Sequence, residues 1–432
     1  MKKVLIITYY WPPSGGAGVQ RWLKFAKYLP QYGWEPIIFT PENPEFAIQD
    51  QSLAKDIAPN TEVIKTKIWE PYEIYKVLTG KKGQKVNMSF AGKSKKEGLI
   101  HKVALTLRGN LLIPDPRCFW VNPSIKYLLN YLKSNPVDAI ITTGPPHSMH
   151  RIGLGLHRKT NLPWIADFRD PWTNIDFYKE LNLTWLADKI HRRMEQQIIS
   201  EADCIVSVTP TWCAELAEKK PKKIVLVHNG YDESDVSKKI ELLDTKFSLV
   251  HIGSINAARN PKVLWKALSE LVAENQELRN KLSIKLVGNV EEIVYDDINQ
   301  YHLNDYVESI GYLSHQEAIE FQQKSQMLLL LINNTPNANG ILTGKLYEYM
   351  ASNRPILAIG PTKSDIARLL TETGAGSIVD FDDVSGMKIT LFNLFELYKT
   401  GKLNSSANGY EQYSRRAQCG VMAEILNDIT RR

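Results

Sequence analysis

Short runs of β-branched and apolar residues alternate with segments of helical spacing from one end of the chain to the other. In the first half, KVLIITYY, EPIIFTP, TEVIKTK, VDAIITT, LPWIADF, DCIVSV and KIVLVHN read as strands. Of the segments between them, GVQRWLKFAKYL is the clearest helix, because Val19, Trp22, Leu23, Ala26 and Leu29 fall on one face. The rhythm restarts at FSLVHIGSI and runs through KLSIKLVGN, DYVESIGYL, QMLLLLIN, RPILAIGP and GSIVDFD. A near-continuous apolar run such as MLLLLI belongs to a strand buried on both faces. Strands alternating with helices predict parallel sheets covered by helices.

The expected fold class is therefore α/β, with two doubly wound, Rossmann-like domains over residues 1–220 and 221–405, joined near KIVLVHNGYDESDVSKK. A last helical segment, 406–432, follows the break LNSSANG and is expected to pack back on the first domain through Val421, Met422, Ile425 and Leu426. Ligands of such sheets bind beyond the carboxyl ends of the strands, so the expectation is a cleft between two facing domains.

Length agrees with this division, since 432 residues exceed what one hydrophobic core organises. No stretch reaches the about 18 to 20 consecutive apolar residues of a membrane span, and the start MKKVLIITYYWPP lacks a signal-peptide cleavage site, so a cytoplasmic protein is expected. Cys118, Cys204, Cys213 and Cys419 are scattered without metal-ligand spacing, which points to core thiols and to no metal.

The net charge of +6 changes the picture only because it is unevenly spread. From Lys76 to Arg108 the basic residues dominate, with Glu97 the only acid. Interleaved with Phe90, Leu99, Ile100, Val103 and Leu107, they suit either an anionic membrane surface or a solvated loop. Nucleic acid is not expected, because no recognition motif accompanies the charge.

Four segments carry candidate chemistry. WPPSGGAG sets Gly15 and Gly16 between a strand and a helix; it fails both the dinucleotide fingerprint and the P-loop pattern, and leaves backbone N–H groups at a helix start that can approach an anion. In LTGKLYEYMASNRPIL, Glu348 can accept hydrogen bonds from ribose hydroxyls, while Lys345, after Gly344, can meet a phosphate. In LVHIGSINAARNPKVLWKAL a strand ends at Gly253, and Arg259 and Lys262 stand where a diphosphate is naturally held. In the first domain, GPPHSMH and ADFRDPW bring His147, His150, Asp167, Arg169 and Asp170 to the ends of two strands. Each segment also has a plain structural reading as a turn, a helix cap or a surface ion pair.

In this order the pieces resemble the retaining GT-B glycosyltransferases of family 4, in the branch that builds bacterial surface polysaccharides. The resemblance runs over essentially the whole chain and rests on the glycine pair, PDPRCFW, GPPHS, ADFRDPW, VHNGYD and KLYEYMASNRPIL. It implies a GT-B fold whose second domain binds a nucleoside diphosphate sugar, while the first binds a saccharide or lipid-linked saccharide acceptor. It implies that Gly15, Gly16, Gly253, Gly344, Lys262 and Glu348 bind the donor, with Glu348 on the ribose. Arg259, Lys345, Arg169 and Asp170 become the catalytic candidates, and His147, His150 and Asp167 lie on the acceptor side.

Two positions depart from the pattern. Gly340 stands where the first glutamate of the family's pair is expected, and Ser254 where a basic residue often follows the strand-end glycine. The resemblance also implies a metal-free reaction on the inner face of the cytoplasmic membrane, with the acceptor proton passing to the departing phosphate oxygen. Two other readings stay open from the sequence: a GT-B sugar-nucleotide 2-epimerase, and a catalytically silent sugar-nucleotide or polysaccharide-binding subunit, for which Gly340 is the best argument.

Overall fold

A computed structural model describes residues 1–46, 49–71, 106, 108–175, 178–236, 242–405 and 407–431. The basic segment Lys76 to Arg108 lies outside the described residues except for Thr106 and Arg108. The chain forms two units, Met1–Asn229 with Arg415–Arg432, and Gly230–Ser414.

Among the described residues the first unit carries the strands β1 (Lys2–Ile7), β2 (Trp34–Pro41), β3 (Glu62–Thr66), β4 (Ala139–Gly144), β5 (Trp164–Phe168), β6 (Cys204–Ser207) and β7 (Ile224–Leu226). They lie in the order β3-β2-β1-β4-β5-β6-β7, and every adjacent pair is parallel. Helices α1 (Ala17–Tyr28), α2 (Cys118–Ser134), α3 (Ser148–Thr160), α4 (Trp185–Glu201) and α5 (Pro210–Ala217) cover it. Val4 and Ile6 enter one core layer and Leu5 and Ile7 the other, as the two-residue period of a strand requires. Val19, Trp22, Leu23, Ala26 and Leu29 are all buried in the first of these layers.

The second unit carries β8 (Phe247–Ile252), β9 (Leu282–Val287), β10 (Val307–Gly311), β11 (Met327–Leu331), β12 (Ile356–Ile359) and β13 (Gly376–Val379) in the order β10-β9-β8-β11-β12-β13, again all parallel. Its helices are α6 (Lys262–Glu274), α7 (Gln276–Lys281), α8 (Glu292–Gln300), α9 (His315–Lys324), α10 (Gly344–Ala351), α11 (Asp365–Thr373) and α12 (Val384–Lys399). β11 is buried along its whole length: Met327, Leu329 and Leu331 serve one layer, Leu328 and Leu330 the other. In both sheets the strand order reverses beside the first strand, so the loops after β1 and β4, and after β8 and β11, open at the carboxyl edge where α/β sheets take ligands.

The division differs in detail from boundaries at 220 and 405. KIVLVHN stays with the first unit because β7 pairs with β6, and residues up to Ser414 stay with the second. The last helix, α13 (Arg415–Ile429), belongs to the first unit, where Cys419, Met422, Ala423, Ile425, Leu426 and Ile429 join the α1 layer. Val421 is only partly buried beside them. Polar contacts fix its register: Trp34 Nε1 donates to Asn427 Oδ1 at 3.1 Å, and His228 N to Gln418 Oε1 at 2.7 Å. Among the described residues no helix is long and apolar enough to cross a membrane.

Replacing the fully buried Leu426 by Ala should destabilise the protein by about 2–5 kcal/mol, the usual cost of a core leucine deletion. A urea titration checks this, and an unchanged midpoint would place α13 off the core.

Candidate functional site

In the second unit, β8 ends at Ile252 and the chain turns at Gly253, whose φ of +129° favours glycine. The turn is held by Gly253 N donating to Val287 O at 2.7 Å and by Ile252 N donating to Tyr349 Oη at 3.1 Å. Tyr349 lies on α10, so the start of that helix is docked against the strand end. Lys345, in its first turn, lays its side chain over Gly253: a methyl group at Gly253 would come within 1.8 Å of Lys345 Nζ. No hydrogen bond or ion pair satisfies this ammonium among the described residues. Burial, and then the nearby Arg259, lower its pKa to about 8, with Glu348 opposing them.

Arg259 closes a one-turn 3-10 helix, Ala257–Arg259, capped by Asn256. Its Nε donates to Asn333 Oδ1 at 2.5 Å, and Asn334 N donates to Ala258 O at 2.9 Å, which ties the loop after β8 to the loop after β11. This bond to a neutral amide holds the guanidinium at the end of β8. Thr343, at the N-cap of α10, makes no side-chain cap, and its buried Oγ1 has no hydrogen-bond partner. Around Gly344 there is open space. Two cations, an unsatisfied hydroxyl and a helix N-terminus thus meet at the carboxyl edge of the sheet, which is a site for an anion. Glu348, one turn on, lines a shallow open recess with Tyr231, Asp232, His315, Gln322 and Ser352.

The other predicted donor residue in this unit is drawn elsewhere. Lys262 Nζ pairs with Asp297 at 3.4 Å on the exposed side of α6. One contributor was not foreseen. His251 is buried below the site, its Nδ1 bonded to Leu329 O at 2.9 Å, and burial with the nearby Lys345 lowers its pKa to about 3. Its place two residues before Gly253 in LVHIG was the available signal.

In the first unit, Gly16 is the N-cap of α1 with φ +83°, exposed and open on all sides, and no side chain caps the helix. The N–H groups beside Gly15 and Gly16 are accordingly placed to meet an anion. The charged residues expected beside them are mostly turned inward. Asp167 is fully buried and accepts from Arg21 Nε at 3.2 Å, Arg21 Nη2 at 3.1 Å, Trp22 Nε1 at 2.7 Å and Thr143 Oγ1 at 3.1 Å. Asp167, expected on the acceptor side, thus has its carboxylate held by four donors of the protein itself. Arg169 Nη1 donates to Gly18 O at 2.7 Å and Nη2 to Pro145 O at 2.6 Å, so it braces the glycine loop against the Gly-Pro-Pro turn. Asp170 follows in the same loop, half-buried.

The two histidines are packed as aromatic rings. His147 stacks on Trp172 at 4.7 Å and 4°, and His150 on Phe168 at 4.5 Å and 18°. His150 Nδ1 bonds Thr142 Oγ1 at 2.8 Å. Burial lowers both pKa values, that of His150 to about 3. Of these two residues expected on the acceptor side, His150 is fully buried and His147 keeps a trace of exposure. Sequence reading missed Arg21 and the Arg117, Glu70 and Tyr9 cluster, since neither adds a charge pattern of its own. Among the described residues no three or more His, Cys, Asp or Glu are grouped to hold a metal ion.

Residues 86–235 match the family described as Glycosyltransferase Family 4. A D-inositol 3-phosphate glycosyltransferase of Nocardioides sp. (strain ATCC BAA-499 / JS614) is 29% identical over 105 residues, which span 22% of this chain and 23% of that protein. The match thus covers less than a quarter of that relative's length. Among solved structures, sucrose-phosphate synthase of Thermosynechococcus elongatus aligns with a TM-score of 0.63 at 14% identity, over 99% of both chains. The fold is GT-B. HepE of Anabaena, solved in complex with UDP-glucose, aligns at 0.60 and 12% identity over 99% of this chain and 100% of that one. At these identities the GT-B likeness speaks for architecture, and chemistry must come from the site.

Two outcomes test the site. Gly253→Ala should displace the Lys345 ammonium and weaken binding of a nucleoside diphosphate by about tenfold or more, as loss of one charge-assisted contact of about 1.5–3 kcal/mol requires; calorimetry with UDP and GDP measures it. The buried neutral His147 and His150 take up protons only on unfolding between pH 6.5 and their lowered values, so the unfolded state gains protons there and stability falls as pH drops below 6.5. Thermal melts at pH 7 and pH 4.5 should show this loss, and His150→Phe should reduce it.

Proposed function

We propose that the protein is a retaining glycosyltransferase that moves a sugar from a nucleoside diphosphate sugar to a hydroxyl of a saccharide or lipid-linked saccharide acceptor, in the assembly of a surface polysaccharide. The observation that carries this reading is Lys345: a half-buried ammonium held against Gly253 at the start of α10, with Arg259 beside it and no carboxylate bonded to it. The family match over residues 86–235 and the UDP-glucose bound in HepE support the same kind of donor.

In the proposed reaction the bond from the anomeric carbon to the diphosphate oxygen breaks, the acceptor oxygen bonds to the same face of that carbon, and the acceptor proton passes to the departing phosphate. Negative charge then grows on the diphosphate, and preorganised cations aimed at it are the largest expected catalytic contribution. Lys345 and Arg259 supply that charge, in place of a metal ion. Glu348, which lines that recess, accepts from the ribose hydroxyls. The basic stretch from Lys76 to Arg108 suits an anionic bilayer on the cytoplasmic side, where a lipid-linked acceptor is found.

Lys345→Ala and Arg259→Ala should each lower transfer by about 10²-fold, from a loss of about 3–4 kcal/mol of transition-state stabilisation, with activity in wild type insensitive to EDTA. Wild-type rates in both variants would reject the assignment. Lys345 is charged below pH 8 and neutral above it, so donor affinity should be full below about pH 8 and fall as the pH rises through that value. A panel of nucleotide sugars, with and without acceptors, separates the readings: conversion of the donor to an epimer without acceptor would mark an epimerase, and no turnover at all a binding subunit.

A further inference from the structure

Two large aromatic side chains stand side by side in solvent at the carboxyl edge of the first sheet. Trp69, just past the end of β3, is 56% exposed, and Phe119, in the first turn of α2, is 47% exposed; their rings meet edge to face at 4.8 Å. The loops after β1, β4 and β5 open on the same edge.

The pair rests on a fixed polar base. Glu70, next to Trp69, is ion-paired with Arg117 at 2.9 Å and accepts hydrogen bonds from Tyr9 Oη at 3.0 Å and Glu45 N at 3.0 Å. Arg117, two residues before Phe119, also donates from Nη2 to Tyr9 Oη at 3.1 Å and lies over the Tyr9 ring at 4.4 Å. On the other side of Trp69, Ile68 exchanges two hydrogen bonds with Asn43, at 3.0 and 3.1 Å. Asp115 accepts from Ser148 N at 2.8 Å and Ser148 Oγ at 2.9 Å, which anchors the same loop to the His147 turn. Burial raises the pKa of Glu70 despite Arg117, a sign that this base costs desolvation. Ending a strand does not require two large aromatic rings exposed side by side, and adjoining exposed apolar groups mark a binding surface more often than single ones do.

We infer that Trp69 and Phe119 form the saccharide platform of the acceptor site. A pyranose presents an apolar face of axial C–H groups and a rim of hydroxyls. The face stacks on the electron-rich ring of Trp69 or Phe119, and the rim meets water and the polar edge of the loop. Rigid aromatic contacts of this kind bind with little loss of side-chain freedom. Of the sequence neighbours of the pair, the apolar Ile68 and Trp120 are buried whereas Lys67 and Asn122 are exposed, so polar side chains accompany the rings at the surface, which favours a polyhydroxylated ring over a lipid chain. The inference rests on the glycosyltransferase reading for its choice of saccharide.

The test uses the full chain and saturation-transfer NMR with the methyl α- and β-glycosides of glucose, galactose, mannose and N-acetylglucosamine, beside calorimetry with UDP and GDP. At least one glycoside should receive saturation on its axial C–H protons. Trp69→Ala and Phe119→Ala should each weaken that binding by at least tenfold, Trp69→Phe should restore most of it, and nucleoside diphosphate affinity should not change. Absence of transfer to every glycoside, undiminished transfer in Trp69→Ala, or loss of binding to phosphatidylglycerol vesicles in its place would overturn the platform. Glycoside binding that depends on Trp69 in a protein that binds no nucleoside diphosphate would leave the platform standing and reject the glycosyltransferase reading.

Discussion

The first unit is organised around one buried carboxylate. Asp167 sits at the end of β5 with no exposure, and its two oxygens collect donors from α1 and β4. Its main partner, Arg21, is itself buried and continues outward, donating to Val227 O at 3.0 Å and His228 O at 2.7 Å. One ion pair therefore fixes α1, two central strands and the segment that leads into VHNGYD. An isolated buried charge would be costly, and removing either partner strands the other, so the pair acts as a clamp on geometry more than as a net source of stability.

The contrast with the second unit separates structure from function. Arg21 and Asp167 satisfy one another, whereas Lys345 carries its charge into a partly buried place with no acid bonded to it, over a glycine that must be a glycine. Arg259 stands close enough to lower the Lys345 pKa, and its Nε is held by the amide of Asn333. Folding alone rewards charges that are paired or fully solvated. Uncancelled positive charge at a helix start is stabilised when an anion arrives, and that is why the geometry near Gly253 reads as a binding site while the charges near Asp167 read as a frame.

The strands of the described residues were legible because their signal is local: a buried parallel strand is apolar at nearly every position. The positions of Lys345 and Arg259 in the fold were legible for a related reason, since a strand end followed by a helix start is visible along the chain. The roles of Asp167, Arg169 and Lys262 were not. Whether a carboxylate faces a ligand or an arginine 146 positions away depends on long-range pairing. ADFRDPW gives no sign that Asp167 faces Arg21, or that Arg169 reaches back to Gly18. His147 and His150 mislead in the same way, for imidazoles stacked on Trp172 and Phe168 behave as core aromatics.

Ser254 and Gly340 bear on the charge of the site rather than on its shape. Relative to the pattern the sequence resembles, one base and one acid are missing, so the local sum is unchanged while its distribution shifts. Gly340 is buried in a 3-10 turn, Ala338–Gly340, where a carboxylate would need a partner to repay its desolvation. Lys345 brings its ammonium to Gly253 from the helix side, beside the position that a base at 254 would occupy. With Lys262 paired to Asp297, the positive charge near the strand end rests on Lys345 and Arg259 alone among the site residues discussed. Their mutual repulsion helps to lower the Lys345 pKa, and an anion between them removes that repulsion. The same proximity that makes the empty arrangement unfavourable therefore makes the occupied one selective for a ligand with more than one negative charge.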